Sequence, residues 1–428
     1  ELKKADLDPR QAKTMCTLCG GCDLVAGKDM MSHVPQHDST GEACLAASLK
    51  TAADRIYTVP GYPVTSLGAA CNAVCTVNEK VALEYALGDA VSGRRACVIV
   101  KNVGLNACMD PLMNAAVQGL SAGLVIIVGD DTEVAGSQNA QDSRCIGRVA
   151  EIPVFAPTAD ELASVAEAAF QASEQFSRIA LVRVTPAILA AETAGTPPAR
   201  IDRKGRLADH SLTMRGRAEA AEMQRRKMVQ WAQEHSIPAL VYPPHKGPVP
   251  SCSTVTPPAG APETVQSRGF ARTFCKGCPY IPLLQVFQEK GLHPVLDIGC
   301  GLLAKNPPWN VGTVGYGLGC APAVAATSTG VALMGDYALM HSGLSALADI
   351  REKGLSALVI IVENGVMGMT GKQTAPDILP YISWAKPIVV NATDSEAIRA
   401  ALVREDKLKC VIIRGQCPGG QEHETVEC

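Results

Sequence analysis

Apolar residues fall into two blocks of alternating short and long segments, separated by a polar, proline-rich stretch. In the first block ACVIVKN (96–102), GLVIIVGDD (123–131) and RIALVRV (178–184) are short β-branched runs bounded by glycine or polar residues. Runs without polar alternation predict strands buried on both faces, and therefore parallel. EKVALEYALGDAVSG and ADELASVAEAAFQASEQ lie between them with helix-like spacing, and Pro157-Thr158 before an acidic first turn marks a helix start. The alternation returns after residue 265 as PVLDIG, VALMGD, ALVIIVEN, PIVV and KCVIIRG. Strands alternating with helices predict an α/β fold with two doubly wound domains, 46–195 and 266–428. Residues 196–265 hold a charged helical piece, MRGRAEAAEMQRRKMVQWAQEHS, and then PPHKGPVPSCSTVTPPAGAPE. The latter cannot form a sheet interior and reads as a linker. Residues 1–45 have few periodic apolar positions and form a small Cys-rich N-terminal segment.

The chain ends of two predicted strands carry polar groups. VALMGD closes on Asp336 and ALVIIVEN on Asn364, with a helical segment between them. Open α/β sheets bind ligands at the carboxyl ends of their strands. A carboxylate and an amide oxygen there are hard ligands suited to Mg²⁺, which takes further ligands from substrate phosphates. A turn acid and a helix-capping amide are the structural alternatives.

Composition narrows the class. With 428 residues, 47% hydrophobic and 19% charged, the chain has an ordinary globular balance and room for a large core. A net charge of −3 gives no electrostatic case for nucleic acid or anionic membrane. No apolar stretch is long enough for a membrane span. The polar ELKKADLDPRQAK has no signal core, so cytoplasm is the expectation. Seventeen cysteines are many for such a setting and point to metal or Fe–S thiolates rather than disulfides. Cys97, Cys108 and Cys145 sit in apolar surroundings and read as small buried hydrophobes.

The Asp336–Asn364 pair followed by NGVMGMTGKQ resembles the thiamine diphosphate motif, closest to the alpha subunit of indolepyruvate:ferredoxin oxidoreductases. VNEKVALEYALGDAVSG, VKNVGLNACMDPLMNAA and SQNAQDSR resemble that family's pyrimidine-binding domain, and FCKGCP and LDIGC the start of its diphosphate-binding domain. The resemblance covers most of 55–195 and 268–417. It implies two thiamine diphosphate-binding domains of pyrimidine and diphosphate type. Asp336 and Asn364 become Mg²⁺ ligands with the backbone of Val366 a third, and Gly335, Met369, Thr370, His341 and Asn106 become cofactor-binding residues. Glu79 becomes the acid that hydrogen-bonds the aminopyrimidine; a solvated first-turn helix acid is the bland alternative. Asn106, Asp110, Gln138 and His341 stand in family motifs, and buried polar strand caps are as common.

The cysteines bear on where electrons go. Cys275 and Cys278 form a CxxC turn, Cys300 ends the strand-like PVLDIG, and Cys417 follows the last strand. Two thiolates on one turn and two from strand ends can converge on one cluster, Cys₄ being the usual shell for [4Fe–4S], and the wider 2-oxo acid:ferredoxin oxidoreductase superfamily holds a cluster on a similar set beside thiamine diphosphate. Zn²⁺ and a CxxC redox pair are the alternatives, and Cys320 is a possible replacement ligand. Cys16, Cys19, Cys22 and Cys44 predict a second [4Fe–4S] cluster, with zinc as its alternative. Members of the family usually have a further α/β domain between the two cofactor domains and ferredoxin-like motifs at the C-terminus; GGQEHETVEC shows none. Tyr62, Leu67, Asn102, Tyr280 and Tyr337 stand where the family usually has other residues.

The resemblance implies oxidative decarboxylation of a 2-oxo acid, aryl pyruvate or smaller, with electrons passing through [4Fe–4S] to ferredoxin or a partner. It also implies coenzyme A as acyl acceptor, a smaller second subunit and an oligomer. A non-oxidative decarboxylase and a non-catalytic or electron-transfer subunit are the rival expectations.

Overall fold

The computed structural model describes residues 40–137, 139–209, 212–249, 270–366, 368, 374–418 and 425–427. The first unit contains β1 (Arg55–Thr58), β2 (Val74–Cys75), β3 (Ala96–Lys101), β4 (Gly119–Leu120), β5 (Leu124–Gly129), β6 (Val154–Phe155), β7 (Ala180–Val184), β8 (Arg206–Leu207) and β9 (Leu240–Tyr242). Seven of them form one sheet in the order β2-β1-β3-β5-β7-β6-β9, parallel except for the β6–β9 pair. β3 and β5 are buried along nearly their whole length, as strands covered on both faces must be. Successive side chains face opposite ways. Val98 and Val100 pack with the helix Glu79–Val91, whereas Cys97 and Ile99 pack with the helices Gly41–Ala52 and Leu162–Phe176. The predicted helix start at Thr158 is a capping box with Glu161.

The second unit contains β10 (Phe270–Arg272), β11 (Val295–Leu296), β12 (Val331–Gly335), β13 (Ala357–Glu363), β14 (Ile388–Asn391), β15 (Leu408–Arg414) and β16 (Thr425–Glu427). Its parallel five-stranded sheet runs β11-β12-β13-β15-β14. One face is closed by Leu283, Phe287 and Ile398. The other shares a continuous core with the first unit, because the helix Glu79–Val91 packs on Ala321–Ala326. Thr327 Oγ1 donates to the Tyr85 carbonyl across that contact at 2.9 Å.

Two expected boundaries move. The helix Gly41–Ala52 begins inside the segment assigned to the N-terminus and packs on the first sheet. The charged piece expected to be helical is the helix Met214–Glu234, and it belongs to the first unit, while most of the proline-rich run read as a linker lies outside the described residues. β8 pairs with β4, β9 extends the first sheet, and the helix Met214–Glu234 lays Met228 and Trp231 against its core, with Trp231 5.1 Å from the Phe176 ring. The charged composition of that helix hides this stripe, because buried Arg225 and Glu222 neutralise each other at 2.8 Å. Of the three cysteines expected in the core, Cys97 and Cys108 are buried but Cys145 is exposed. Cys145 ends a 3₁₀ turn at the surface, so an apolar sequence neighbourhood did not mean burial. No helix among the described residues is long and apolar enough to cross a membrane.

Candidate cofactor site

Strand pairing brings Asp336 and Asn364 together. Gly335 ends β12 in register with Val362 of β13, so the residues that follow each strand lie side by side. Asp336 is only 3% exposed. Its Oδ2 accepts from the Asn364 and Gly365 amides at 3.1 and 3.0 Å, and its Oδ1 from the Tyr337 amide at 2.7 Å. Asn364 Oδ1 accepts from the Val366 amide at 2.9 Å. The carboxylate thus organises the turn that carries the amide. Burial raises the Asp336 carboxyl above its usual range, and the three backbone N–H groups pull it back in part. A divalent cation would offset the same desolvation, and Asp336 Oδ1 and Asn364 Oδ1, which accept one bond each, keep a second lone pair with which to bind it. This donor set fits Mg²⁺ holding a diphosphate.

Asp336, Asn364 and Val366 line a cavity of about 920 Å³ together with Cys275, Cys278, Cys300 and Cys417. The CxxC turn closes through a Cys278 amide to Cys275 carbonyl bond at 3.0 Å, with Gly277 at φ +72°. A positive φ at that third position defines a type II turn and demands glycine. Cys300 opens a 3₁₀ stretch after β11, and Cys417 follows β15. A β-carbon placed on Gly368 would stand 3.5 Å from Cys417 Sγ and 3.8 Å from Cys300 Sγ, which puts these two thiols under the turn that follows Asn364. Burial, reinforced by the neighbouring thiols, pushes Cys278 up to about 11 and Cys300 up to about 12. Metal binding at these thiols would displace their protons. Among the described residues no three His, Cys, Asp or Glu side chains are close enough to hold one metal ion between them. The four thiols share a wall, not a single-ion cage. Tyr280 closes that wall, its hydroxyl donating to the Gly415 carbonyl at 2.8 Å.

Glu79 lies outside the cavity wall, at the contact between the two units. Asn78 caps its helix by accepting from the Val81 amide at 2.9 Å, leaving Glu79 in the first turn. The Glu79 side chain lies against Gly104, where an added β-carbon would be 2.4 Å from Oε1. The next residue, Lys80, reaches the second unit: Nζ donates to the Leu318 carbonyl at 3.2 Å, and Ser342 Oγ donates to the same carbonyl at 2.6 Å. Ser342 follows His341 in the π-helical turn Leu339–Gly343, which is continuous with the Asp336 segment. Through Leu318, Glu79's turn and the residues after Asp336 therefore face one another.

Other expected site residues are placed differently. His341 is exposed in that π-turn, its Nδ1 3.4 Å from Ser342 Oγ. Asn106 is exposed and pairs with Gln141 on the first unit, away from the cavity wall. Cys320 is not brought to the other thiols but is buried 3.1 Å from Lys80 Nζ. Cys44 is packed in the apolar core of the first unit and raised by burial, the setting of a small core side chain. Cys16, Cys19, Cys22, Gln138, Met369 and Thr370 lie outside the described residues.

Sequence reasoning missed the charges behind the loop Gly317–Cys320. Asp297 is fully buried; its Oδ1 accepts from the Gly319 amide at 2.7 Å and its Oδ2 from the Ala321 amide at 3.1 Å. Burial raises its carboxyl to about 7. Glu84 is buried and raised by burial, with Lys80 and Cys320 pulling it back in part. Asp297 had a legible signal, an acid closing the strand-like PVLD, but Glu84 reads as one more helix acid.

The chain is similar to known proteins in sequence and in fold. Residues 302–401 match the family described as thiamine pyrophosphate enzyme, C-terminal TPP binding domain. A 111-residue part is 40% identical to the indolepyruvate oxidoreductase subunit IorA of Pyrococcus horikoshii, covering 26% of this chain and 17% of that protein. The resemblance to indolepyruvate oxidoreductase subunits holds. IorA of Methanothermobacter thermautotrophicus is 34% identical over 154 residues, covering 34% of this chain and 25% of that protein. The matched part therefore spans a quarter or less of these relatives. In fold, the chain is similar to a Mycobacterium smegmatis protein described as a thiamin diphosphate-dependent enzyme, with a TM-score of 0.59 at 13% identity over 88% of this chain and 99% of that one. A Rhodococcus jostii thiamine diphosphate-dependent 4-hydroxybenzoylformate decarboxylase gives 0.56 at 14% identity over the same shares. The expected α/β architecture is thus that of thiamine diphosphate-dependent enzymes.

Proposed function

We propose that this chain is the catalytic part of a thiamine diphosphate- and Mg²⁺-dependent 2-oxo acid oxidoreductase that passes electrons through a [4Fe–4S] cluster. The supporting observation is the shared cavity: two hard oxygen ligands at strand ends and four thiols line one space of about 920 Å³. When bound, thiamine diphosphate supplies the carbon centre that holds the electrons left by loss of CO₂. Asp336, Asn364 and the Val366 backbone hold the metal and so the diphosphate. Glu79 holds a proton at the aminopyrimidine. Cys275, Cys278, Cys300 and Cys417 would hold a [4Fe–4S] cluster at the wall of the same cavity, where it would supply an electron acceptor. The substrate is an aryl pyruvate or a smaller 2-oxo acid, with coenzyme A as acyl acceptor. Ferredoxin or a smaller partner subunit takes the electrons, in an oligomeric assembly. A second cluster on the N-terminal cysteines extends this reading.

The test is a preparation made without oxygen and analysed for iron, sulfide and bound thiamine diphosphate, then screened with 2-oxo acids, coenzyme A and a viologen dye. Brown protein that binds thiamine diphosphate and reduces the dye is expected. Colourless active protein would replace the reading with a non-oxidative decarboxylase. Brown protein that binds no thiamine diphosphate would replace it with an electron-transfer subunit.

A further inference from the structure

The loop Gly317–Cys320 is tied from both units through its peptide groups. From the second unit, Asp297 accepts the Gly319 amide and Ser342 donates to the Leu318 carbonyl. From the first unit, Asp110 Oδ2 accepts the Leu318 amide at 3.0 Å, and Lys80 donates to the Leu318 carbonyl at 3.2 Å. Both ends of one residue's backbone are therefore held across the domain contact. Lys80 is well suited to this. Its side chain is 13% exposed, and its three N–H donors match three acceptors: Glu84 Oε1 at 2.6 Å, Cys320 Sγ at 3.1 Å and the Leu318 carbonyl. Gly317 leaves room for the grip, since a β-carbon there would lie 2.4 Å from Asp110 Oδ2 and 2.6 Å from Cys320 Sγ.

The grip joins the two parts of the site that a long cofactor must touch. Lys80 is adjacent to Glu79 in one helical turn, and Ser342 lies in the turn that continues from Asp336. We propose that Lys80 and Asp110 are positioning residues: by clamping the Leu318 peptide they set the spacing between the Glu79 turn and the Asp336–Asn364 cavity. The spacing in turn sets affinity for a ligand that spans both units. This rests on the thiamine diphosphate reading. A merely structural contact would affect every ligand of the second unit alike. A positioning contact acts only on a ligand long enough to reach the first unit.

The test is calorimetric titration of the full chain with Mg²⁺-thiamine diphosphate and, separately, with Mg²⁺-inorganic diphosphate. The variants are Asp110→Ala, Asp110→Asn, which keeps an acceptor oxygen, and Lys80→Met combined with Glu84→Gln, which leaves no buried charge unpaired. Loss of one charge-assisted bond predicts about a tenfold weaker thiamine diphosphate affinity in Asp110→Ala and in the double variant. Inorganic diphosphate affinity stays within about twofold by the same reasoning, and Asp110→Asn behaves as wild type. Asp110 is exposed, so its variants decide the matter if the double variant does not fold. Unchanged thiamine diphosphate affinity, or equal weakening of both ligands, overturns the inference while leaving the function intact. A wild-type chain that binds inorganic diphosphate but not thiamine diphosphate overturns the underlying function and the inference with it.

Discussion

Gly104→Ala separates the role of Glu79 from fold stability. Gly104 lies in the short helix Asn102–Ala107 and meets the Glu79 side chain face on. An alanine β-carbon would stand 2.4 Å from Oε1, 2.6 Å from Cγ and 2.8 Å from Cδ of Glu79. Ordinary carbon contacts lie at about 3.5–4.0 Å, so Glu79 must retreat by roughly 1 Å. Rotation of the carboxyl group alone does not relieve the clash, because Cγ is itself too close. Helix propensity favours alanine over glycine by about 1 kcal/mol, which offsets the cost of moving one flexible side chain. Thermal stability should therefore stay near wild type. A catalytic acid displaced by about 1 Å should lose on the order of a hundredfold in rate. The assay is 2-oxo acid-dependent viologen reduction without oxygen, paired with a thermal melt. Wild-type activity at wild-type stability would refute the argument, since it would show that the position of Glu79 is immaterial. A lowered melting temperature would show instead that Gly104 serves packing.

Three further outcomes follow from other parts of the structure. Asp336→Ala removes the acceptor of three backbone amides and a proposed metal ligand, so Mg²⁺-dependent thiamine diphosphate binding, measured by calorimetry, should weaken about tenfold to a hundredfold. Cys300→Ser should lower iron per chain by one cluster's content, whereas Cys320→Ser, buried against Lys80 away from the cavity wall, should leave it unchanged; equal counts in both would remove the assignment. Lys305 is 1% exposed, bonded to Gln118 Oε1 at 3.2 Å, and burial, with Arg217 nearby, lowers it to about 7. The unfolded chain, with lysine near its usual value of about 10.4, then binds more protons between those values, so stability rises with pH across that window. Lys305→Met should be more stable than wild type by about 1–4 kcal/mol below neutrality, with the gain fading above about pH 10, as read by denaturant unfolding at several pH values.

What the sequence made legible follows from how each feature is encoded. The central strands were visible because burial on both faces leaves uninterrupted β-branched runs such as LVIIVG and ALVIIVE. Asp336, Asn364, Cys300 and Cys417 were visible for a related reason: each follows a strand of the parallel sheet, and parallel strands bring those ends to one edge, whereas Cys275 and Cys278 were visible only as a CxxC pair. The helix Met214–Glu234 was placed wrongly because its buried Arg217, Glu222 and Arg225 imitate a solvated face. The same ambiguity hid the clamp. Lys80 and Glu84, not singled out in the sequence, have the spacing of an ordinary i,i+4 surface pair, and only the fold shows the ammonium spending its other donors on Leu318 and Cys320 of the second unit. A local pattern reports where a segment turns and which face is apolar. It cannot report which charge is buried by a segment some 240 residues away. That distant pairing, and not the strand ends, sets how the helix that opens with Glu79 meets the loop Gly317–Cys320, so this part of the proposed site is the part a linear reading recovers least.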